Sequence, residues 1–424
     1  MNRRLVLLNL PFLRAKDPRA TLGDASLRAR LTRDRDIDVA SVTWAVNTPG
    51  ADRGALADAV MDELGRGDPM LGVGCYVWNE PVVQWLLPEL RRRGFRGAIV
   101  LGGPQITYSG AGVDRDYPHA DIFIRGYGED ALANLVRGNG RAGAIAGVSY
   151  AGRDHAVTFA KVDYGLLESP IVSGLLPLGG FQRWETQRGC LYRCAFCQWP
   201  GGIDGMHRLA RKRIEIESEM LAGSATEEIA IQDPIFNSDP QDWLAPLVAL
   251  ERHGYRGRLS MQLRPETFTG AADFLRMSLA GRCKLEFGLQ TIHRAEMDVI
   301  DRNNHLGKCR KVFAALREAG AFVEISLIYG LPNQTLDSFR RSVDFAQEHA
   351  TSVRAFPLLL LRGTPLHGRQ QELGLVEDQS DIPQVVSAPT FTRDEHFKMA
   401  EMADQLAKAA DAYGQSWREG ILRG

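Results

Sequence analysis

Three cysteines, Cys190, Cys194 and Cys197, fall within eight residues of the stretch RGCLYRCAFCQWP at 188–200, spaced C-x3-C-x2-C. Thiolates this close can converge on one soft metal centre, and soft sulfur ligands select iron–sulfur clusters or zinc. A cluster of four irons ordinarily takes four cysteines. With three, one iron is left open and can bind something that reacts. Gly189 allows a tight backbone turn before the first ligand. Tyr192 and Phe196, interleaved with the cysteines, can shield a cluster from water and so help set its potential. Zinc would ask for a fourth Cys or His at a second paired spacing, and no further CxxC pair occurs. The remaining cysteines, Cys75, Cys283 and Cys309, are scattered and read as small hydrophobic packing residues. His293, His305, His367 and His396 show no metal-ligand spacing.

The cysteine loop needs a scaffold, and the surrounding chain alternates short apolar runs with amphipathic stretches. In the first 150 residues, strands are expected at 5–8, 37–42, 70–76, 98–101 and 122–124, with helices at 81–93 and from about 130. That alternation predicts an α/β fold with a doubly wound, Rossmann-like parallel sheet. Ligands of such sheets bind beyond the carboxyl ends of the strands. There the sequence places Tyr76 and Asn79, then Gly102 and Gly103, then Gly126 and Glu129. No GxGxxG follows the first strand, so dinucleotide binding is not indicated. Residues 151–180 read as a linker. A short strand at 184–186 then delivers the cysteine loop. Further strands are expected at 228–231, 259–263, 285–287, 323–329 and 355–361. Each ends in a polar or glycine cluster, where strand–helix barrels carry their chemistry. This second domain spans 181–375, and a C-terminal helical segment, with a helix at 394–410, spans 376–424.

Composition narrows the function classes. The 424 residues suffice for two domains, and net charge is -1, so no electrostatic case exists for nucleic acid or an anionic membrane. No apolar run approaches the about 20 residues of a membrane span. The opening MNRRLVLLNLPFL is broken by Asn9 and Pro11 and reads as a first strand rather than a signal peptide. Six cysteines, three of them in one loop, suit a reducing compartment, so the cytoplasm is expected. The chain carries no cysteine after Cys309, so no auxiliary cluster is expected.

The cysteine loop, with Phe196 before its last cysteine, resembles the cluster loop of the radical S-adenosylmethionine (SAM) superfamily. The resemblance implies a 4Fe-4S cluster on Cys190, Cys194 and Cys197, with SAM chelating the open iron and an electron from the cluster breaking one of its carbon–sulfur bonds. It implies a partial (β/α)6 barrel for the second domain and a cobalamin-binding type for the first, although cofactor-free versions of that domain exist in the superfamily. No Asp-x-His-x-x-Gly segment is present, so a bound cobalamin would be capped below by water or a non-histidine side chain. The segment Gly288-Leu289-Gln290 with Arg302 is similar to the strand-four region of coproporphyrinogen-dehydrogenase-like members, whose Gln and Arg contact SAM. LIYGLP at 327–332 resembles the strand lying against the adenine, with Ser326 where the family often has a ribose-binding Asp. By the same resemblance Asp233 approaches the methionyl amino group, and Arg264 pairs with the methionyl carboxylate or a substrate acid. The partners implied are a small-molecule substrate and an electron donor such as flavodoxin or ferredoxin. Two outcomes remain open: methyl transfer through cobalamin, or transfer of the 3-amino-3-carboxypropyl group to a small inorganic acceptor such as arsenic, as in arsinothricin biosynthesis, with a cobalamin-free first domain. A third class is a non-catalytic iron–sulfur sensor.

Overall fold

The computed structural model describes residues 3–14, 16–18, 20–50, 52–65, 69–140, 144–153, 157–199, 205–269 and 271–423. The chain forms two compact units, one within Met1–Pro177 and the other within Leu178–Pro200 and Gly205–Gly424.

The first unit is built on β1 (Arg3–Asn9), β2 (Ile37–Thr43), β3 (Met70–Gly74), β4 (Ile99–Gly102), β5 (Ile122–Ile124) and β6 (Val148–Tyr150), in the spatial order β2-β1-β3-β4-β5-β6. Strands β1 to β5 are parallel. This is the flavodoxin-like order, with its switch point between β1 and β3. Leu5 to Leu8 are all buried, because helices cover both faces of a parallel sheet. Alternate β1 residues divide between the faces. Val6 and Leu8 pack with helices Arg53–Leu64 and Glu80–Arg92. Leu5 and Leu7 pack with helices Leu22–Leu31 and Gly128–Arg137. The expected all-parallel sheet is corrected at one edge: β6 runs antiparallel to β5. A three-residue strand carries too little periodicity to be read in advance.

The second unit holds β7 (Gly180–Trp184), β8 (Thr226–Ile231), β9 (Arg258–Leu263), β10 (Cys283–Gln290), β11 (Phe322–Tyr329) and β12 (Ser352–Pro357), all parallel and adjacent in chain order. It is an open six-stranded partial barrel. Residues on β10 alternate: Leu285, Phe287 and Leu289 are buried, and Phe287 meets Phe313 of helix Leu306–Glu318 at 5.1 Å between ring centroids. Lys284, Glu286, Gly288 and Gln290 take the opposite, more accessible face. Next to edge strand β12 lies helix Arg393–Arg423, which pairs Asp411 with Arg354 and sets the Tyr413 and Trp417 rings against Phe322. Covering an edge removes its unpaired backbone from solution. Two expected strands shift: β7 ends at Trp184, where 184–186 was expected, and β12 ends at Pro357, well short of 361.

Candidate active site

The cysteine loop leaves β7 at its carboxyl end and is tied down at successive points. Asp233, beyond the end of β8, accepts the backbone N–H groups of Thr186 at 2.8 Å and Gln187 at 3.0 Å, and the Thr186 hydroxyl. Gln187 and Arg188 pair antiparallel with Arg208 and His207. Gly189 has φ +94°, and a side chain there would run into the Gly205 carbonyl, so the turn admits only glycine. Further on, the Ala195 N–H donates to the Ile300 carbonyl at 2.8 Å and the Ala195 carbonyl accepts from Leu366 N–H at 2.9 Å.

These ties bring Cys190, Cys194 and Cys197 to one cavity of about 370 Å³. Phe196, Arg264, Gln290, Arg302 and Ser326 line the same cavity. Burial pushes the Cys190 thiol up, and pushes the Cys197 thiol up to about 11. Neutral thiols in such a place ionise readily only beside a cation or a metal. Among the described residues no three His, Cys, Asp or Glu side chains are grouped so as to hold a single metal ion.

Two guanidiniums supply the positive charge. Arg302, 9% exposed, donates through Nη1 to Cys194 Sγ at 3.5 Å and through Nη2 to the Gly288 carbonyl, and its buried Nε has no partner among the described residues. Burial, then the neighbouring Arg264, draws its pKa down. Arg264 lies 3.8 Å above the Tyr192 ring, is ion-paired with Glu266 at 3.2 Å and donates to the Asn303 carbonyl. It is therefore at once a cavity wall and a rim ion pair.

Gln290 sits at a register shift between β10 and β11 with φ +68°, rare for a residue with a side chain. Strain of this kind collects at functional positions. Gly288 makes room for it: a Cβ there would lie 2.6 Å from Gln290 Nε2 and 3.4 Å from Arg302 Nη2. Ser326 pairs with Gly288 across the sheet.

Asp233 takes a different place from the one expected. Its carboxylate is wholly buried, does not line the cavity and is engaged by Thr186 and Gln187, while Pro234 beside it forms part of the wall. Glu286, Gln262, Trp199 and Phe356 also line the cavity and went unremarked in the sequence. The period-two alternation of β10 was the available signal for Glu286, since it shares a face with Gly288 and Gln290.

In the first unit, the strand-end residues also meet the protein's own chain. Asn79 is buried, donates to the Leu10 and Gly74 carbonyls and accepts from Tyr76 N–H at 2.8 Å. Tyr76 stacks on Trp78 at 4.5 Å. Gly102 ends β4. Gly103, φ +89°, lets the chain pass Cys75, whose carbonyl oxygen would lie 2.6 Å from any added Cβ. Gly126, φ +90°, does the same against Ala160. Glu129 is buried and accepts the Ser26 hydroxyl at 3.1 Å.

Comparison with known proteins places this geometry. The chain is 26% identical over 340 residues to the cobalamin-dependent radical SAM methyltransferase TokK of Streptomyces tokunonensis, covering 74% of this chain and 49% of TokK. In structure it matches the radical SAM methyltransferase TsrM from Kitasatospora setae, solved with cobalamin and a [4Fe-4S] cluster, at TM-score 0.67 and 17% identity over 93% of this chain and 81% of TsrM. The chain has the fold of the cobalamin-dependent radical SAM enzymes. OxsB, another cobalamin-dependent radical SAM enzyme, solved with aqua-cobalamin and SAM, matches at TM-score 0.70 and 13% identity over 94% of this chain and 66% of OxsB. No family model matches the chain. The chain spans about half the length of the curated relatives it matches. The cavity lies at the carboxyl ends of the barrel strands, with the cysteine loop following β7. Among the described residues no helix is long and apolar enough to cross a membrane.

Proposed function

We propose that this protein is a radical SAM enzyme that transfers a methyl group from SAM, by way of cobalamin, to a small-molecule acceptor. One constellation carries the reading: three thiols, two guanidiniums and the strained Gln290 share one cavity at the ends of parallel strands. The residues fit a cluster better than a single ion. Three thiols line one cavity and, among the described residues, no further Cys or His joins them in its lining to complete a zinc site, whereas a cuboidal cluster can take three protein ligands and leave one corner open. The unpartnered Nε of Arg302 gives a buried donor for a ligand's anionic group.

When bound, the cluster would supply the electron that cleaves SAM and cobalamin would carry the methyl group. This chain's residues bind and orient. Cys190, Cys194 and Cys197 hold the cluster, and Arg264 and Arg302 offer cationic donors for the methionyl carboxylate. The Gln290 amide is held toward the cavity for a further hydrogen bond, with Ser326 one strand away. Phe196, Trp199 and Phe356 add apolar surface to the cavity wall, the last two half-exposed. In the first unit, the switch point beyond β1 and β3, flanked by the Tyr76–Trp78 stack, is where a doubly wound sheet receives its ligand. An electron donor such as flavodoxin or ferredoxin and a cytoplasmic setting complete the proposal.

The test is anaerobic reconstitution of the full chain with iron, sulfide and hydroxocobalamin, followed by SAM and dithionite. Brown protein that retains corrinoid and forms S-adenosylhomocysteine and 5′-deoxyadenosine supports the reading. Methylthioadenosine as main product without corrinoid overturns methyl transfer in favour of aminocarboxypropyl transfer. Failure to turn over SAM with the cluster intact leaves an iron–sulfur sensor. Cys190→Ala, Cys194→Ala and Cys197→Ala should each lose the cluster absorbance, and any of them with full iron and turnover refutes the ligand set.

A further inference from the structure

We propose that Arg302 sets the reduction potential of the cluster, and that the turn carrying it clamps the middle cysteine. This rests on the functional reading above. Helix Arg294–Val299 ends in a turn in which Asp301 takes φ +48° and the Arg302 N–H returns to the Met297 carbonyl at 3.0 Å. A left-handed residue followed by this long-range bond is how helices commonly close their carboxyl ends. Such an end leaves carbonyls without partners inside the helix. One of them, Ile300, accepts the N–H of Ala195, the residue next to Cys194, at 2.8 Å. Two residues on, Arg302 reaches the Cys194 sulfur itself at 3.5 Å and the Gly288 carbonyl on β10. One turn thus grips the sulfur of Cys194 and the backbone of the next residue, and ties them to the strand bearing Gln290.

The electrostatic consequence follows from placement. The guanidinium is almost wholly buried and donates to the Cys194 sulfur and the Gly288 carbonyl, while the carboxylate that acts on it, Glu266, is ion-paired with Arg264. A cation in a low-dielectric site acts on its neighbours far more strongly than one in water. One-electron reduction makes a cluster more negative. A fixed positive charge donating to a ligand sulfur therefore favours the reduced state and raises the potential. Arg264 also faces the cavity, but Glu266 and the Tyr192 ring are its partners.

The experiment is an EPR-monitored redox titration of the reconstituted full chain without SAM, so that loss of a SAM contact plays no part. Arg302→Gln should shift the midpoint to a more negative value, and Arg302→Lys, which keeps the charge, should shift it less. A midpoint unchanged in Arg302→Gln with iron content intact overturns the proposal and leaves the functional reading standing. A wild type that assembles no cluster overturns both. If Arg302→Gln cannot hold a cluster, the wild type decides. Reduced protein labelled with guanidinium-15N arginine should show nitrogen modulation in pulsed EPR that Arg302→Lys alters. Modulation that is absent, or that depends on Arg264 instead, refutes the assignment.

Discussion

Gly288→Ala separates a site built for a ligand from a strand that happens to carry a glycine. Gly288 has no left-handed backbone and lies within β10, so alanine is allowed there by conformation. The obstacle is local: the new Cβ would lie 2.6 Å from Gln290 Nε2. Ordinary van der Waals contact begins near 3.4 Å, so the amide must retreat by about 1 Å. The atom that must move is the far end of a flexible side chain, so the fold should lose no more than about 1 kcal/mol. SAM binding should lose one hydrogen bond to the displaced amide, about 0.5–1.5 kcal/mol net, which raises its Kd by about 2- to 13-fold. Isothermal titration of SAM into anaerobic protein, with iron content and Tm measured on the same samples, reads both quantities. A second cycle tests the mechanism: once Gln290→Ala has removed the displaced group, adding Gly288→Ala should cost little more. Wild-type SAM affinity in Gly288→Ala with full iron, or additive losses in the double variant, would refute the reasoning.

Two other residues have roles that burial and bonding reveal. Burial pushes the Asp233 carboxyl up to about 7. A folded-state pKa above the unfolded value means that the fold binds the proton more tightly. Its stability contribution is therefore present below about pH 4 and is lost as pH rises through 7. Asp233→Asn keeps an oxygen for the Thr186 and Gln187 N–H groups and should flatten this part of the stability–pH curve, checked by urea unfolding of the full chain at pH 5 and pH 8. An unchanged curve would show that Asp233 is ionised throughout. Asn79→Ala removes three hydrogen bonds from a fully buried position in the first unit. It should destabilise the chain by about 2–4 kcal/mol. Corrinoid loss without any fall in stability would instead make Asn79 a ligand contact.

What the sequence disclosed follows the reach of each signal. The cysteine spacing needs only a few residues to be read, and strand–helix alternation needs about twenty. Both levels were legible, because a parallel sheet forces each strand to be apolar and each connection to be amphipathic. The misplacements come from contacts that cross the sheet. Asp233 follows a strand end, as a ligand-binding acid would, but two neighbouring backbone N–H groups on the adjacent segment claim it. Nothing in the order of residues says which donors will meet a carboxylate 46 or 47 positions away. Asn79, Gly103 and Gly126 show the same limit. Polar and glycine residues at strand ends are needed wherever two backbones pass closely, whether the second belongs to a ligand or to the protein. Here Leu10, Cys75 and Ala160 supply it. Gln290 is the opposite case: a glutamine two residues after a glycine stands out only through the family resemblance, and its φ of +68° marks it independently as held against preference. The dihedral therefore adds an argument for a ligand at Gln290 that spacing could not supply, while the hydrogen bonds of Asn79 give it a structural task beside the one expected of it.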